Sequence, residues 1–282
     1  IAFTIVTHNH VDHTGRIPFM FKKGFQGKVY TSEDTQILLP YALTDSCKVL
    51  KDVAKRNHTR PLYSELDVEH AIEKVVGCKM RNIEYANNNV RLTFYENGHL
   101  VGASMVLVKI SYPGYEDINI FFMGDYNNKN MFLDLYELDK LVKDMNLTVI
   151  TEATYGDMDS SEMHECFEEN IVKCISEGGT AIIPVFSLGR SQEILYKMQE
   201  FQNKGVLSSE IPIRFDGKLG IKYTNLFLKG SLHIKESMRN FLPQNFTFVD
   251  KSTRESVLKS TDSQIILTTS GMGSYGPAQL YI

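Results

Sequence analysis

A short apolar run at the start of the chain leads into a turn crowded with potential metal ligands. Residues 1–6 have the length and composition of a buried strand, and residues 7–13 read Thr-His-Asn-His-Val-Asp-His. A turn at the end of a strand holds its imidazoles on a stiff base, within reach of one another. Imidazole and carboxylate are the groups that zinc prefers, at roughly 2.0–2.2 Å per bond. Because histidine and aspartate are costly to bury without partners, this spacing predicts a metal site instead of a packed core.

Composition narrows the class of protein. The chain has 282 residues, of which 43% are hydrophobic, enough for one large domain or two modest ones. Its net charge of −4 gives no bulk attraction to nucleic acid, although positive charge can still concentrate in one cleft. The four cysteines form no CxxC pair, which favours reduced thiols and a cytoplasmic protein. The sequence has no apolar span of about 18 residues, so we expect no membrane partner.

Two more candidate ligands lie far along the sequence. His99 sits in a turn bracketed by Gly98 and Gly102, just before an apolar strand, and Asp125 directly follows another apolar strand. Alone, each signal is weak. A single histidine is more often a hydrogen-bonded residue, and an aspartate after a strand is usually a turn former.

The pattern of predicted elements changes near residue 157. Before it, helices are predicted over 14–23, 32–58 and 67–76, and strands over 90–95, 104–111, 119–123 and 147–151. A capping box at Asp159 and Glu162 predicts the start of a helix that continues over 163–177. Strands over 180–186, 211–215, 246–249 and 264–269 then alternate with helices over 192–204 and 221–228. This alternation predicts an α/β fold with a parallel sheet flanked by helices.

The pattern His-x-His-x-Asp-His at residues 8–13 resembles the signature of the metallo-β-lactamase superfamily. This resemblance implies a four-layer αββα sandwich with two Zn²⁺ ions at its edge. The segments around His99 and Asp125 resemble later motifs of the same superfamily, in order and in local structure. By resemblance, one zinc is held by His8, His10 and His99, and the second by Asp12, His13 and a bridging Asp125. Asp12 is also expected to accept a proton from the attacking water.

Residues 148–157, Thr-Val-Ile-Thr-Glu-Ala-Thr-Tyr-Gly-Asp, resemble the Glu-Ser-Thr-Tyr-Gly motif that opens the β-CASP insertion of that superfamily. The match departs at Ala153, where serine is usual. It marks Glu152 as a second catalytic candidate. A glutamate here resembles the RNA-processing members, whereas the DNA cross-link repair nucleases more often have aspartate. The alternative for Glu152 is a strand-end carboxylate that serves the next turn.

Two later segments, residues 182–193 and 265–273, also resemble β-CASP sequences. Each is a strand that leads into a turn of small residues with exposed backbone N–H groups. If helices follow, their N-termini would favour phosphate oxygens. The resemblance therefore marks four substrate-binding candidates: Ser187, Arg190, Ser270 and Gly271. Arg190 would add a bidentate phosphate contact, and the alternative is ordinary turn chemistry with Arg190 paired to a neighbouring acid.

The combined resemblance implies a zinc-dependent phosphodiester hydrolase that cleaves single-stranded RNA, a β-CASP ribonuclease in which a metal-bridged hydroxide attacks phosphorus. A homodimer or a processing complex is the assembly it implies. Three alternatives remain open: a catalytically inactive scaffold subunit of an RNA-processing complex, a DNA-directed β-CASP nuclease, and another metallo-hydrolase such as a thioesterase.

The expected domains are a metallo-β-lactamase core over 1–157 and an inserted β-CASP domain over 158–282. Family members carry an aspartate motif upstream of the first of these segments and two histidine motifs after the insertion. We therefore expect the sequence to be a piece of a longer chain that lacks parts of both domains. Made alone, such a piece is expected to bind zinc weakly and to cleave poorly.

Overall fold

A computed structural model of the protein describes residues 1–154, 156–157, 166–273 and 275–282. The chain divides into two compact units, Ile1–Thr154 with Ser231–Lys235, and Tyr155–Gly230 with Glu236–Ile282. The predicted capping box at Asp159 and Glu162 lies outside the described residues. Within the described part of the chain, we find no helix with the length and apolar character that a membrane crossing requires.

The first unit contains a three-stranded parallel sheet in the order β1 (Phe3–Ile5), β2 (Lys28–Ser32) and β3 (Val75–Cys78). Side chains of β2 alternate between two apolar clusters. Val29 packs with the residues of the covering helices, whereas Tyr30 packs with residues of a second sheet. This alternation follows from the two-residue period of a strand, and it means that both faces of the sheet are covered.

The helices of this unit are α1 (Val11–Thr14), α2 (Ile17–Lys22), α3 (Glu33–Arg56) and α4 (Glu65–Glu73). Ser32 begins α3 by accepting a hydrogen bond from the Thr35 N–H at 3.2 Å, with acidic residues in the first turn and basic residues in the last. The long helix predicted over 32–58 is confirmed. The prediction of helix through residue 76 is wrong, because Val75 and Val76 pair with β2. That pairing is a tertiary contact and overrides the local pattern.

The second sheet has five strands in the order β4 (Ile83–Asn87), β5 (Val90–Glu96), β6 (Ser104–Ile110), β7 (Ile118–Phe122) and β8 (Thr148–Ile150). The first four are antiparallel, and β8 adds parallel to β7. Phe94 and Val106 face the first sheet, whereas Leu107 and Phe121 face outward. The outward side chains pack on Val142 of the short helix α5 (Lys140–Lys143). The layers therefore run helix, sheet, sheet, helix, which confirms the αββα fold.

The second unit is built on a four-stranded parallel sheet in the order β11-β10-β12-β9. Its strands are β9 (Thr180–Pro184), β10 (Ile213–Asp216), β11 (Phe246–Val249) and β12 (Gln264–Thr268). Its helices are α6 (Phe167–Ser176), α7 (Arg190–Asn203), α8 (Lys218–Leu228), α9 (Arg254–Lys259) and α10 (Ala278–Tyr281). The parallel sheet flanked by helices that the alternating pattern predicts is confirmed.

Candidate metal centre

One turn supplies the first four candidate ligands. The backbone N–H of Val6 still bonds to the carbonyl of Tyr30 at 2.9 Å, so the chain leaves the sheet just before His8. His8 is buried, and His10 comes directly before α1, where its carbonyl accepts a hydrogen bond from the Thr14 hydroxyl at 2.8 Å. Asp12 and His13 lie on α1 itself. The single helical turn thus brings the third and fourth ligands back toward the first two.

His99 and Asp125 reach the same place from the second sheet. His99 lies between β5 and β6, and Asp125 follows β7. Because these strands are neighbours, both residues belong to loops at the same end of the sheet. The backbone N–H and hydroxyl of Ser104, at the start of β6, both donate to the carbonyl of Thr7, at 2.9 and 3.0 Å. These bonds tie the second sheet to the turn that carries His8.

Four of the predicted ligands come together tightly. One ligand atom from each of His8, His10, His99 and Asp125 lies within 4.8 Å of all the others. His99 Nε2 is 3.2 Å from His10 Nδ1 and 3.9 Å from Asp125 Oδ2. Ligand atoms around a tetrahedral ion with bonds of about 2.1 Å are about 3.4 Å apart. The observed separations bracket that value.

The donor chemistry also fits a cation. His8 Nε2 is buried and has no hydrogen-bond partner among the described residues. Burial, and then the neighbouring imidazoles, lowers the pKa of His8 to about 2. Burial likewise lowers the pKa of His10 to about 4 and lowers the pKa of His99. The three rings are therefore neutral at neutral pH, with lone pairs available to a metal ion, which a cluster of imidazolium groups would repel.

Asp125 faces two groups of ligands at once. Its Oδ2 atom lies 3.7 Å from His8 Nε2, whereas its Oδ1 atom lies 3.4 Å from His13 Nε2. His13 Nε2 is in turn 3.5 Å from Oδ2 of Asp12, whose side chain is 74% exposed. The second predicted group, Asp12 with His13 and Asp125, is thus also assembled, on the more open side of the cluster.

Glu152 borders the same site. It helps to line a cavity of about 340 Å³ together with Thr7, His13 and Asp125. Hydrogen bonds, above all from Thr154, lower the pKa of Glu152, and the Thr154 N–H donates to its Oε2 atom at 2.9 Å. Glu152 therefore stabilises the next turn, as the alternative reading predicts, and its carboxylate also borders the cavity. Its catalytic role stays a prediction.

The four substrate-binding candidates lie at the carboxyl ends of two paired strands of the second unit. Ser187 and Arg190 follow β9, and Ser270 and Gly271 follow β12, which pairs with β9 through Thr268 and Pro184. The two loops touch, because a Cβ on Gly271 would approach the Phe186 N atom at 2.9 Å.

Two contacts in the loop after β9 match the alternative of ordinary turn chemistry. Arg190 pairs with Glu193 at 2.9 Å, although its side chain is 66% exposed. The N–H of Gly189, before α7, already donates to Gln192 at 2.9 Å. No helix directly follows Gly271 either, since α10 begins at Ala278. Phosphate binding by these four residues stays a prediction.

The sequence patterns did not indicate two residues that support the ligands. The Thr7 hydroxyl lies 3.1 Å from Nδ1 of His8, and the buried side chain of Asn97 bonds to the backbone on both sides of the cluster. An Asn-Gly pair at 97–98 typically signals a turn, and nothing in the sequence distinguishes this one. The only sequence signal that points to Thr7 is its position directly before the candidate ligand His8.

The Beta-Casp domain family matches residues 191–282. The match places residues 191–282 in the β-CASP family. β-CASP proteins of this fold are expected to hold a divalent metal ion, and the cluster around His8 has the ligands for one.

Three curated relatives match over most of the chain. It is 29% identical to a transcription termination factor FttA of Methanosarcina mazei, with 100% of this chain and 45% of the relative covered. It is 28% identical to cleavage and polyadenylation specificity factor subunit 3-II of Arabidopsis thaliana, with 96% and 44% covered. It is 30% identical to an endoribonuclease YSH1 of Gibberella zeae, with 77% and 26% covered. The chain spans less than half the length of each of these relatives.

Proposed function

We propose that this protein is a metal-dependent phosphodiester hydrolase that cleaves single-stranded RNA, with two zinc ions as its cofactors. The position of Asp125 carries the proposal, because its two oxygens face different imidazoles at 3.7 and 3.4 Å. A carboxylate so placed suits a bridge between two cations, the arrangement found in many two-metal hydrolases. The names of the relatives, an endoribonuclease and a cleavage and polyadenylation factor subunit, support RNA as the substrate.

In this mechanism, His8, His10 and His99 would hold one ion, Asp12 and His13 would hold the other, and Asp125 would be a ligand to both. Bound zinc would lower the pKa of water and neutralise charge on the phosphate. The neutral imidazoles of His8 and His10 leave the site ready for cations at neutral pH. Asp12, with its exposed carboxylate beside His13, is positioned to accept the proton of the attacking water.

Glu152 is not the group that protonates the leaving oxygen in this mechanism. Because its pKa is lowered, it is ionised at neutral pH and accepts hydrogen bonds, so another group must protonate the leaving oxygen. Hydrolysis adds the hydroxyl of water to phosphorus and a proton to the leaving oxygen. The expected products are a 5′-phosphate and a 3′-hydroxyl.

The test is cleavage of a labelled single-stranded RNA by the full-length protein in the presence of Zn²⁺. His10→Ala and Asp12→Ala should each lower cleavage by at least about 100-fold, since each removes a cation ligand. His70→Ala is the matched control, because His70 is an exposed histidine on α4, away from the cluster in the sequence and outside the ligand set. Unchanged cleavage by both ligand variants would refute the mechanism. Equal cleavage of a DNA of the same sequence would favour a DNA-directed enzyme, and RNA binding without cleavage would favour a scaffold.

A further inference from the structure

One buried amide joins the two loops that carry His99 and Asp125. Asn97 is buried, with only 3% of its surface exposed. Its Nδ2 group donates to the carbonyl of Asp125 at 2.8 Å and to that of Met123 at 3.1 Å. Its Oδ1 atom accepts the backbone N–H of His99 at 3.1 Å. The NH₂ group of the amide therefore bonds to the loop that carries Asp125, and its oxygen bonds to the loop that carries His99.

Backbone contacts around Asn97 reinforce this link. The Asn127 N–H donates to the carbonyl of Asn97 at 2.9 Å, and the side chain of Asn130 donates to the carbonyl of Gly98 at 3.0 Å. Gly98 has φ +73°, and a Cβ there would lie 2.2 Å from the Asn127 carbonyl oxygen. The two loops are thus in direct contact, and side-chain volume at residue 98 would separate them.

We infer that Asn97 is a positioning residue for the metal centre, which fixes the distance between the imidazole of His99 and the carboxylate of Asp125. The inference rests on the proposed function, because it takes both residues as ligands. Only an amide suits this position. A carboxylate cannot donate to the two carbonyl groups, and a hydroxyl has one proton to donate where two are needed. Asn97 contacts backbone and no reacting atom, so its effect on the reaction comes through the ligands.

Residues that orient metal ligands typically change metal affinity by about 10- to 100-fold when they are lost. Asn97→Ala and the isosteric Asn97→Leu remove all three hydrogen bonds. We expect each to weaken Zn²⁺ binding by the full-length protein by about 10-fold or more, measured by competition with a chromophoric chelator. Asn130→Ala removes the bond to the Gly98 carbonyl and the bond that Asn130 Oδ1 accepts from the Phe132 N–H, and it leaves the three bonds of Asn97 in place. It should therefore weaken Zn²⁺ binding less, and it supplies a second variant if the Asn97 variants do not fold.

Two controls separate positioning from general loss of stability. Asn119→Ala changes an asparagine near the start of β7, in the same sheet. It removes the hydrogen bond from the Asn119 side chain to the Asn146 carbonyl, at 3.3 Å. Val108→Ala weakens the core between the two sheets and should lower the Tm of the metal-free protein. We expect both controls to bind Zn²⁺ within about twofold of the unaltered protein, whatever their Tm.

The outcomes are distinct. Weaker binding in the Asn97 variants, beyond that of Val108→Ala at a comparable Tm, supports the inference. Equal Zn²⁺ affinity in the Asn97 variants and the unaltered protein overturns it and leaves the proposed function intact. A loss that merely follows Tm across all variants also overturns it, because the role would then be structural. Absence of Zn²⁺ binding by the unaltered protein overturns both.

Discussion

Nε2 of His8 lies 3.7 Å from Oδ2 of Asp125, too far for a hydrogen bond. The nitrogen is buried and has no hydrogen-bond partner in the described part of the chain. A protein that buries a polar atom without a partner loses stability unless another group satisfies that atom. The separation suits two ligands of one cation, so we attribute the unsatisfied nitrogen to a metal site.

The metal-free protein should lose stability as the pH falls below about 6.5. An unfolded histidine has a pKa near 6.5, whereas burial lowers the pKa of His10 to about 4 and that of His8 to about 2. Between these values the unfolded chain binds more protons than the folded chain, so the free energy of unfolding falls with falling pH. The measurement is Tm in EDTA from pH 7.5 to pH 5, with a His8→Ala, His10→Ala double variant expected to show a shallower slope. A Tm that is constant or rises toward pH 5 would count against neutral, buried imidazoles.

The four cysteines should differ sharply in reactivity. Cys47 and Cys78 are buried, and burial raises the pKa of both thiols, that of Cys78 to about 12. Cys166 is exposed and Cys174 half-buried. Because the thiolate is the nucleophile, a thiol reagent at pH 8 should label Cys166 first and Cys174 more slowly, and the other two only after denaturation. Counting released chromophore in native protein and in Cys166→Ser tests this, and labelling of Cys78 in the native state would contradict it.

A buried ion pair should dominate the stability of the second unit. Asp216, at the end of β10, is 1% exposed and accepts hydrogen bonds from Arg254 at 2.8 Å and from the Tyr281 hydroxyl at 2.8 Å. Removing one partner of a buried ion pair costs about 3–5 kcal/mol, and Asp216→Ala also leaves the Tyr281 hydroxyl without its acceptor. Asp216→Ala should lower the free energy of unfolding in urea by about that amount.

The control for this prediction is Glu236→Ala. It breaks an ion pair with Arg239 in which the glutamate side chain is 86% exposed, and such surface pairs contribute about 0–1 kcal/mol. If the Asp216 and Glu236 variants lose similar stability, the buried pair does not have the weight assigned to it.

Residue patterns predicted the ligands because the chemistry of a metal site restricts residue type and spacing. His8, His10, Asp12 and His13 lie within six residues, so local sequence was enough to group them. His99 and Asp125 are about 90 and 115 residues from the first cluster, and only the resemblance to a family joined them to it. The structure brings both to the edge of the second sheet, where β5, β6 and β7 are neighbours.

Contacts made by backbone atoms were beyond prediction. Asn97 acts through the carbonyl groups of Met123 and Asp125, and no sequence pattern records which carbonyl a side chain will meet. The strands β2, β3 and β4 were missed for a similar reason. Val75 follows a helix with no turn signal, and only its pairing with β2 makes it a strand. Long-range pairing sets such segments, so local propensity is a poor guide to them.

The most direct test of the two-metal account is the number of zinc ions bound per chain, measured by titration calorimetry on the unaltered full-length protein and on its His13→Ala and Asp125→Ala variants. Asp125 faces His8 with one oxygen and His13 with the other, so its loss should weaken both sites. We predict two ions in the unaltered protein, one in His13→Ala and no tight ion in Asp125→Ala. Two tightly bound ions in Asp125→Ala, or none in the unaltered protein, would contradict the account.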